Sequence, residues 1–195
     1  MTLAQRIANG KESLVDRWYD LVLATYPGET AKLWRRNSDP FTNPVGQTTH
    51  RALAELVDHL LVWSDAQAIC TSLDEVVKIR AVQDFTPAKA MAFIFLLKKA
   101  LREVFAKDLA GGGLDAELAA LEARVDNMAL MGFDVYVRER EKIFRMRVDE
   151  FKRTHRMIFR KTGIMCETTD SLVRGGPDEA ADADEDLGIK KPQAR

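Results

Sequence analysis

Three histidines and two cysteines are the residues of this 195-residue chain best suited to metal or nucleophilic chemistry. His50 and His59 lie nine residues apart within one run of helical periodicity. At ~100° per residue they point to roughly opposite faces, so they cannot share the i, i+4 edge on which a helix binds zinc. His155 stands on an apolar seam described below, where packing or a pH-sensitive contact is expected ahead of ligation. Cys70 and Cys166 are isolated, form no CxxC pair, and have no histidine nearby to activate them. Ser64 and Ser72 lack the Gly-x-Ser-x-Gly elbow of an activated serine. Gly111-Gly112-Gly113 precedes no Lys-Ser/Thr and follows no strand pattern, so it reads as a hinge and not a phosphate cradle. The acidic residues include no Glu-x-x-His pair of the kind a di-iron bundle needs. The expectation is a non-enzyme with no catalytic residue, no metal ligand and no cofactor.

The elements that would have to position any site are helical throughout. Leu3, Ile7, Leu14, Val15, Trp18, Leu21, Val22 and Tyr26 recur every three or four residues, the spacing of one apolar stripe, and Pro27-Gly28 ends it. A short turn of helix is expected around Thr30 to Arg36, anchored by Trp34, before a loop rich in turn formers from Asn37 to Pro44. A second long helix runs from about Gly46 to Trp63, and a weaker one covers about Ala66 to Val82. Thr86-Pro87 is a strong helix start, a capping hydroxyl followed by the residue that needs no N–H partner there. From Ala90 to Leu97 the following helix is apolar on every side, which predicts burial all round and a central place in the fold. From Leu114 to Thr162 no proline intervenes, and an unbroken helix there would span roughly 70 Å. Its first half is expected to pack through Leu118, Leu121, Val125, Met128 and Phe133.

The second half of that helix has its own pattern. Phe144, Val148, Phe151, His155 and Ile158 alternate four- and three-residue steps, the a/d spacing of a coiled-coil seam. Ten Lys and Arg residues between Arg138 and Lys161 surround the seam, against Glu139, Glu141, Asp149 and Glu150. Pairing between two copies, folding back onto the same domain, and binding an anionic membrane or nucleic acid are all consistent with a basic amphipathic helix. Beyond Gly163 the chain turns acidic and poor in apolar residues, notably from Asp178 to Asp186, and disorder is expected there. That tail could also screen the basic face.

Composition narrows the class. The net charge of −1 argues against a wholesale nucleic-acid binder, and neither a secretory signal nor a run of ~20 apolar residues is found. With two isolated cysteines, a cytoplasmic setting is expected. The organisation expected is a domain over residues 1–138, a projecting helix over 139–162 and a disordered tail over 163–195.

Two stretches carry a family resemblance. One is Asp39-Pro40-Phe41-Thr42-Asn43-Pro44-Val45-Gly46; the other runs VVKIRAVQDFTPAKAMAFIFLLKKALREVF, from Val76 to Phe105. Together with the helix order they resemble the N-terminal domain of the RsbR/RsbD-type stressosome regulators, a non-haem member of the globin superfamily, over about Leu3 to Arg140. The resemblance implies a globin-like helical bundle that dimerises and passes a signal through its C-terminal helix, which in those regulators leads into a STAS domain phosphorylated by a kinase. No STAS segment follows here, so a separate STAS protein or kinase is the expected partner, beside a second copy. The alternatives are a ligand- or haem-binding globin-type sensor and an anion-binding adaptor working through the basic helix. For haem, the helix from Ala66 to Val82 would have to supply the proximal ligand, and it holds no histidine, only Cys70.

Overall fold

The structure is a computed structural model that describes residues 1–36, 41–63, 65–83 and 85–162. Eight helices make up the described secondary structure: α1 Leu3–Asn9, α2 Lys11–Leu23, α3 Gly28–Arg36, α4 Pro44–Leu61, α5 Ala66–Ala81, α6 Pro87–Val104, α7 Ala106–Ala110 and α8 Asp115–Thr162. The chain is therefore all-α with a 48-residue C-terminal helix, as its periodicity predicts. Residues 1–145 form one compact unit, and a second begins at Met146. The acidic tail lies outside the described residues, as does the Asp39-Pro40 start of the first motif.

Local chemistry explains where the helices begin. The Thr2 hydroxyl accepts from Gln5 N–H while the Gln5 side chain accepts from Thr2 N–H, a reciprocal capping box. Asp65 accepts from the N–H groups of Gln67 and Ala68 at the head of α5. Thr86 caps α6 through Lys89 N–H with Pro87 at the first helical position. Helix ends are closed from a distance as well. Arg124 of α8 donates to the carbonyls of Leu60 and Leu61 at the end of α4, and Arg140 donates to Ala81 O at the end of α5. Both arginines put positive charge where the helix leaves carbonyls unpaired.

The core of the first unit is built on α2, α4, α5, α6 and the early turns of α8. Leu14, Trp18, Leu53, Leu56, Leu60, Leu73, Phe93 and Leu97 are all essentially buried. Each such side chain contributes about 1.5–3 kcal/mol relative to an exposed one. Trp18 stacks on Phe93 with ring centroids 6.5 Å apart and gives its indole N–H to Phe93 O at 2.7 Å.

Three expectations need correction. The stripe from Leu3 to Tyr26 is two helices, divided at Gly10, where a Cβ would stand 3.2 Å from the Phe105 ring. That ring occupies the notch between α1 and α2. Helix α6 is not buried on every side: Phe95 is 48% exposed, whereas Ala90, Met91, Phe93, Ile94 and Leu97 face the core. It ends at Val104, and a separate short helix, α7, precedes the glycines, of which Gly112 and Gly113 adopt positive φ. On α8, Leu118, Leu121, Val125 and Met128 are buried as expected, but Phe133 is exposed and Val135 and Tyr136 take its place. The buried stripe passes through Gly132, where an added Cβ would lie 2.7 Å from Ile94 and 2.8 Å from Met91. The missing side chain is what brings α8 this close to α6, and the residue after it is turned to the outer face.

Candidate functional site

The first motif resolves into a structural joint. Asn43 is buried; its Oδ1 accepts from Gly46 N–H at 3.0 Å and its Nδ2 donates to Trp34 O at 3.0 Å. One side chain thus caps α4 and holds α3 against it. Beside the joint, Pro44, Val45, Thr48, Glu75, Lys78 and Ile79 line an open groove of about 370 Å³. Its charged groups are already engaged, Glu75 by Arg51 and Lys78 by Asp74.

The histidines go to different places. His50 pairs with Asp16 at 2.9 Å and meets the Tyr19 ring edge-on. His59 comes within 3.4 Å of the Ser72 hydroxyl, which also lies 3.0 Å from Glu55. Sequence reasoning missed this Ser-His-Glu set, although Glu55 and His59 are one turn apart on α4. It is no relay: the hydroxyl donates to Glu55, Ser72 is buried, and Glu55 is held by Arg51 instead of orienting the imidazole. Among the described residues no group of three His, Cys, Asp or Glu could hold a metal ion.

The second motif has Arg80 at its centre. This side chain is 1% exposed. Its Nε donates to Ala90 O at 2.8 Å, and its Nη2 to Lys89 O at 2.9 Å and Thr25 Oγ1 at 3.2 Å. The guanidinium carbon lies 4.7 Å from the Phe85 ring centre, 5.1 Å from Tyr26 and 5.8 Å from Phe93. Arginine thereby ties α5 to the first turn of α6, with aromatic faces replacing some of the water it has lost. Burial pushes the Arg80 pKa down, partly offset by Tyr26. Burial also pushes the Tyr26 pKa up, against the pull of Arg80 and then Gln83.

The seam residues all lie on α8. In the first unit Phe144 is 67% exposed; in the second, Phe151 is 55% and Ile158 57% exposed, with Val148 and His155 half-buried. The His155 ring sits 4.3 Å from the Phe151 ring, and its Nδ1 lies 2.9 Å from Phe151 O. That nitrogen must carry the proton to bond a carbonyl, which leaves Nε2 as the acceptor of the neutral ring. The seven-residue spacing of Phe144, Phe151 and Ile158 extends back to Val137 and Leu130, both exposed in the first unit, with Phe133 also exposed. These earlier positions had been assigned no interface role in the sequence, because the core-facing stripe of the same helix hides the outer one. Of the basic residues, Arg145 pairs with Glu141 and Arg153 with Glu150. Among the described residues no helix is long and apolar enough to cross a membrane.

Comparison with known families places these features. The family described as the RsbT co-antagonist protein rsbRD N-terminal domain matches residues 12–150, about seven-tenths of the chain. Comparison with curated proteins and with solved structures returns no match. The matched stretch takes in both motifs, most of the core except Leu3 and Ile7 of α1, and α8 as far as Glu150. On this match the chain belongs to the RsbT co-antagonist protein rsbRD N-terminal domain family, a regulatory domain of stressosome-type stress signalling.

Proposed function

We propose that the chain is a non-catalytic, dimeric regulatory module whose C-terminal helix passes the state of the domain to a separate signalling protein. The observation that carries this reading is the recurrence of apolar residues every seven positions in the sequence at Leu130, Val137, Phe144, Phe151 and Ile158, the first three exposed in the first unit and the last two in the second. A strict seven-residue repeat is the period at which one helix keeps the same face toward a partner helix. Exposed apolar residues in register over several turns mark an interaction surface, whereas scattered ones do not. The family supplies the setting: a stressosome-type regulatory domain works through partner proteins, and a STAS protein or kinase is the partner class the resemblance implies.

The basic residues flanking the stripe are like-charged in two copies, so the apolar stripe has to supply the stability of the pair. The same charges favour a separate signalling protein of negative charge. We assign residues 1–138 to the regulatory domain and 139–162 to the output helix. The test is the mass of the intact chain in solution before and after Phe151→Glu together with Ile158→Glu. Light scattering should give twice the 22.0 kDa chain mass for the parent and the chain mass for the variant, with helical content unchanged. Equal masses for both proteins would remove these residues from the interface.

A further inference from the structure

The basic face of α8 in the second unit has a counterpart elsewhere in the same chain. Lys152 is half-buried, and Arg153 and Arg156 are exposed. At ~100° per residue these three side chains occupy an arc of roughly 100°, turned away from the seam residues Val148, Phe151, His155 and Ile158. Asp149 falls inside the arc and Arg153 meets Glu150 at 2.6 Å, which leaves the face with a net positive charge. In the sequence Arg160 continues the step, so that Lys152, Arg156 and Arg160 recur every four residues. Residues 178–186 carry six acidic groups and no basic one, and Asp178, Asp182 and Asp186 recur at that same interval. This segment lies outside the described residues; its charge and spacing are properties of the sequence.

Reach permits the two to meet. Fifteen residues, 163–177, separate the end of α8 from the acidic run, and a chain of that length extends to at most ~50 Å. Lys152 lies ten residues before Thr162, about 15 Å back along the helix. A single exposed ion pair contributes little, but a tethered segment that makes several at once meets its site without a loss of concentration. We propose that residues 178–186 dock on this face of α8 in the same chain, setting carboxylates against Lys152, Arg153 and Arg156. The seam, on another side of the helix, stays open to pairing. On the output-helix reading, on which this consequence rests, a signalling protein of negative charge must displace the segment. The chain then carries its own competitor for that partner.

The experiment is carbodiimide coupling of the full chain at low ionic strength, which joins a carboxylate to an amine in contact, followed by peptide mapping of the band of monomer mass. A cross-link between Lys152 and residues 178–186 is expected, in preference to links from Lys11, Lys32, Lys99 and Lys107 of the first unit. Its yield should not change on dilution, and it should be lost at about 1 M salt, where the screening length falls to ~3 Å. As a second measurement, replacing the six acidic residues by Asn and Gln should shift the amide NMR signals of residues 147–158 and leave those of the first unit in place. Cross-links spread evenly over the lysines of the first unit, or found only in the band of dimer mass, would overturn the docking. So would signals from α8 that do not respond to the neutralised segment. None of these readouts needs two copies to pair, so a chain that proves monomeric tests the docking equally.

Discussion

Replacing Gly46 by Ala is the sharpest perturbation the structure offers, because its sign depends on a single neighbour. A Cβ at this position would stand 2.3 Å from Asn43 Nδ2, 2.6 Å from its Oδ1 and 2.7 Å from its Cγ. The carboxamide must leave. With it go the cap on Gly46 N–H, worth about 1 kcal/mol, and the bond to Trp34 O, worth about 0.5–1.5 kcal/mol. Alanine in a helix returns up to about 1 kcal/mol over glycine. The net expectation is a loss of about 1–2 kcal/mol. Asn43→Ala removes the same two bonds without the helix-propensity return and should cost about 1.5–2.5 kcal/mol. In that background the obstacle to a Cβ is gone, so Gly46→Ala should become neutral or stabilising by up to about 1 kcal/mol. Urea unfolding of the four proteins at one fixed concentration, followed by tryptophan fluorescence, gives the cycle. If Gly46→Ala costs the same with and without Asn43, the first motif is not the joint described here.

Further outcomes follow from the core and from its tyrosines. Trp18→Phe keeps a ring against Phe93 but removes the indole N–H bond to Phe93 O, which retains its bond within α6, and leaves a void; chemical denaturation should show a loss of about 2–4 kcal/mol. A loss below about 1 kcal/mol would mean that neither the bond nor the filled volume contributes as described. Tyr19 and Tyr26 both have pKa values raised, chiefly by burial, above the ordinary value of 10.0. A group whose folded pKa is raised contributes stability that is full below its unfolded pKa and lost as pH rises through its folded pKa. The melting temperature should therefore fall as pH climbs beyond 10.0, in step with late tyrosinate absorbance. Titration of every tyrosine at the ordinary value would contradict the burial.

The helices and their starts were legible from periodicity and caps. Thr86-Pro87 marked the head of α6, and the proline-free run after Leu114 became a helix from Asp115 to Thr162. What escaped was whatever depends on an element's neighbours. Gly10 breaks a continuous stripe because Phe105, nearly a hundred residues away, fills the notch. Phe95 and Phe133 looked like core by type and face outward, since apolarity says a side chain can be buried and not which wall exists to bury it. Arg80 could not be distinguished from the other arginines in the sequence, because its burial arises from three aromatic residues on separate segments. The seven-residue spacing proposed as a seam was visible in the sequence, and the exposed face of α8 in the first unit adds Val137 and Leu130 at the same spacing.

The most direct test of the seam is disulfide trapping of single cysteines on α8, in a background carrying Cys70→Ala and Cys166→Ser. In a parallel, in-register pair each seam residue meets its own copy, while a residue two positions on points away from the partner. Under mild oxidation at matched concentrations, Phe151→Cys and Ile158→Cys should give covalent dimers and Arg153→Cys should remain monomeric. Trapping that is equal at all three positions, or strongest at Arg153→Cys, would contradict the claim that this face joins two copies of the chain.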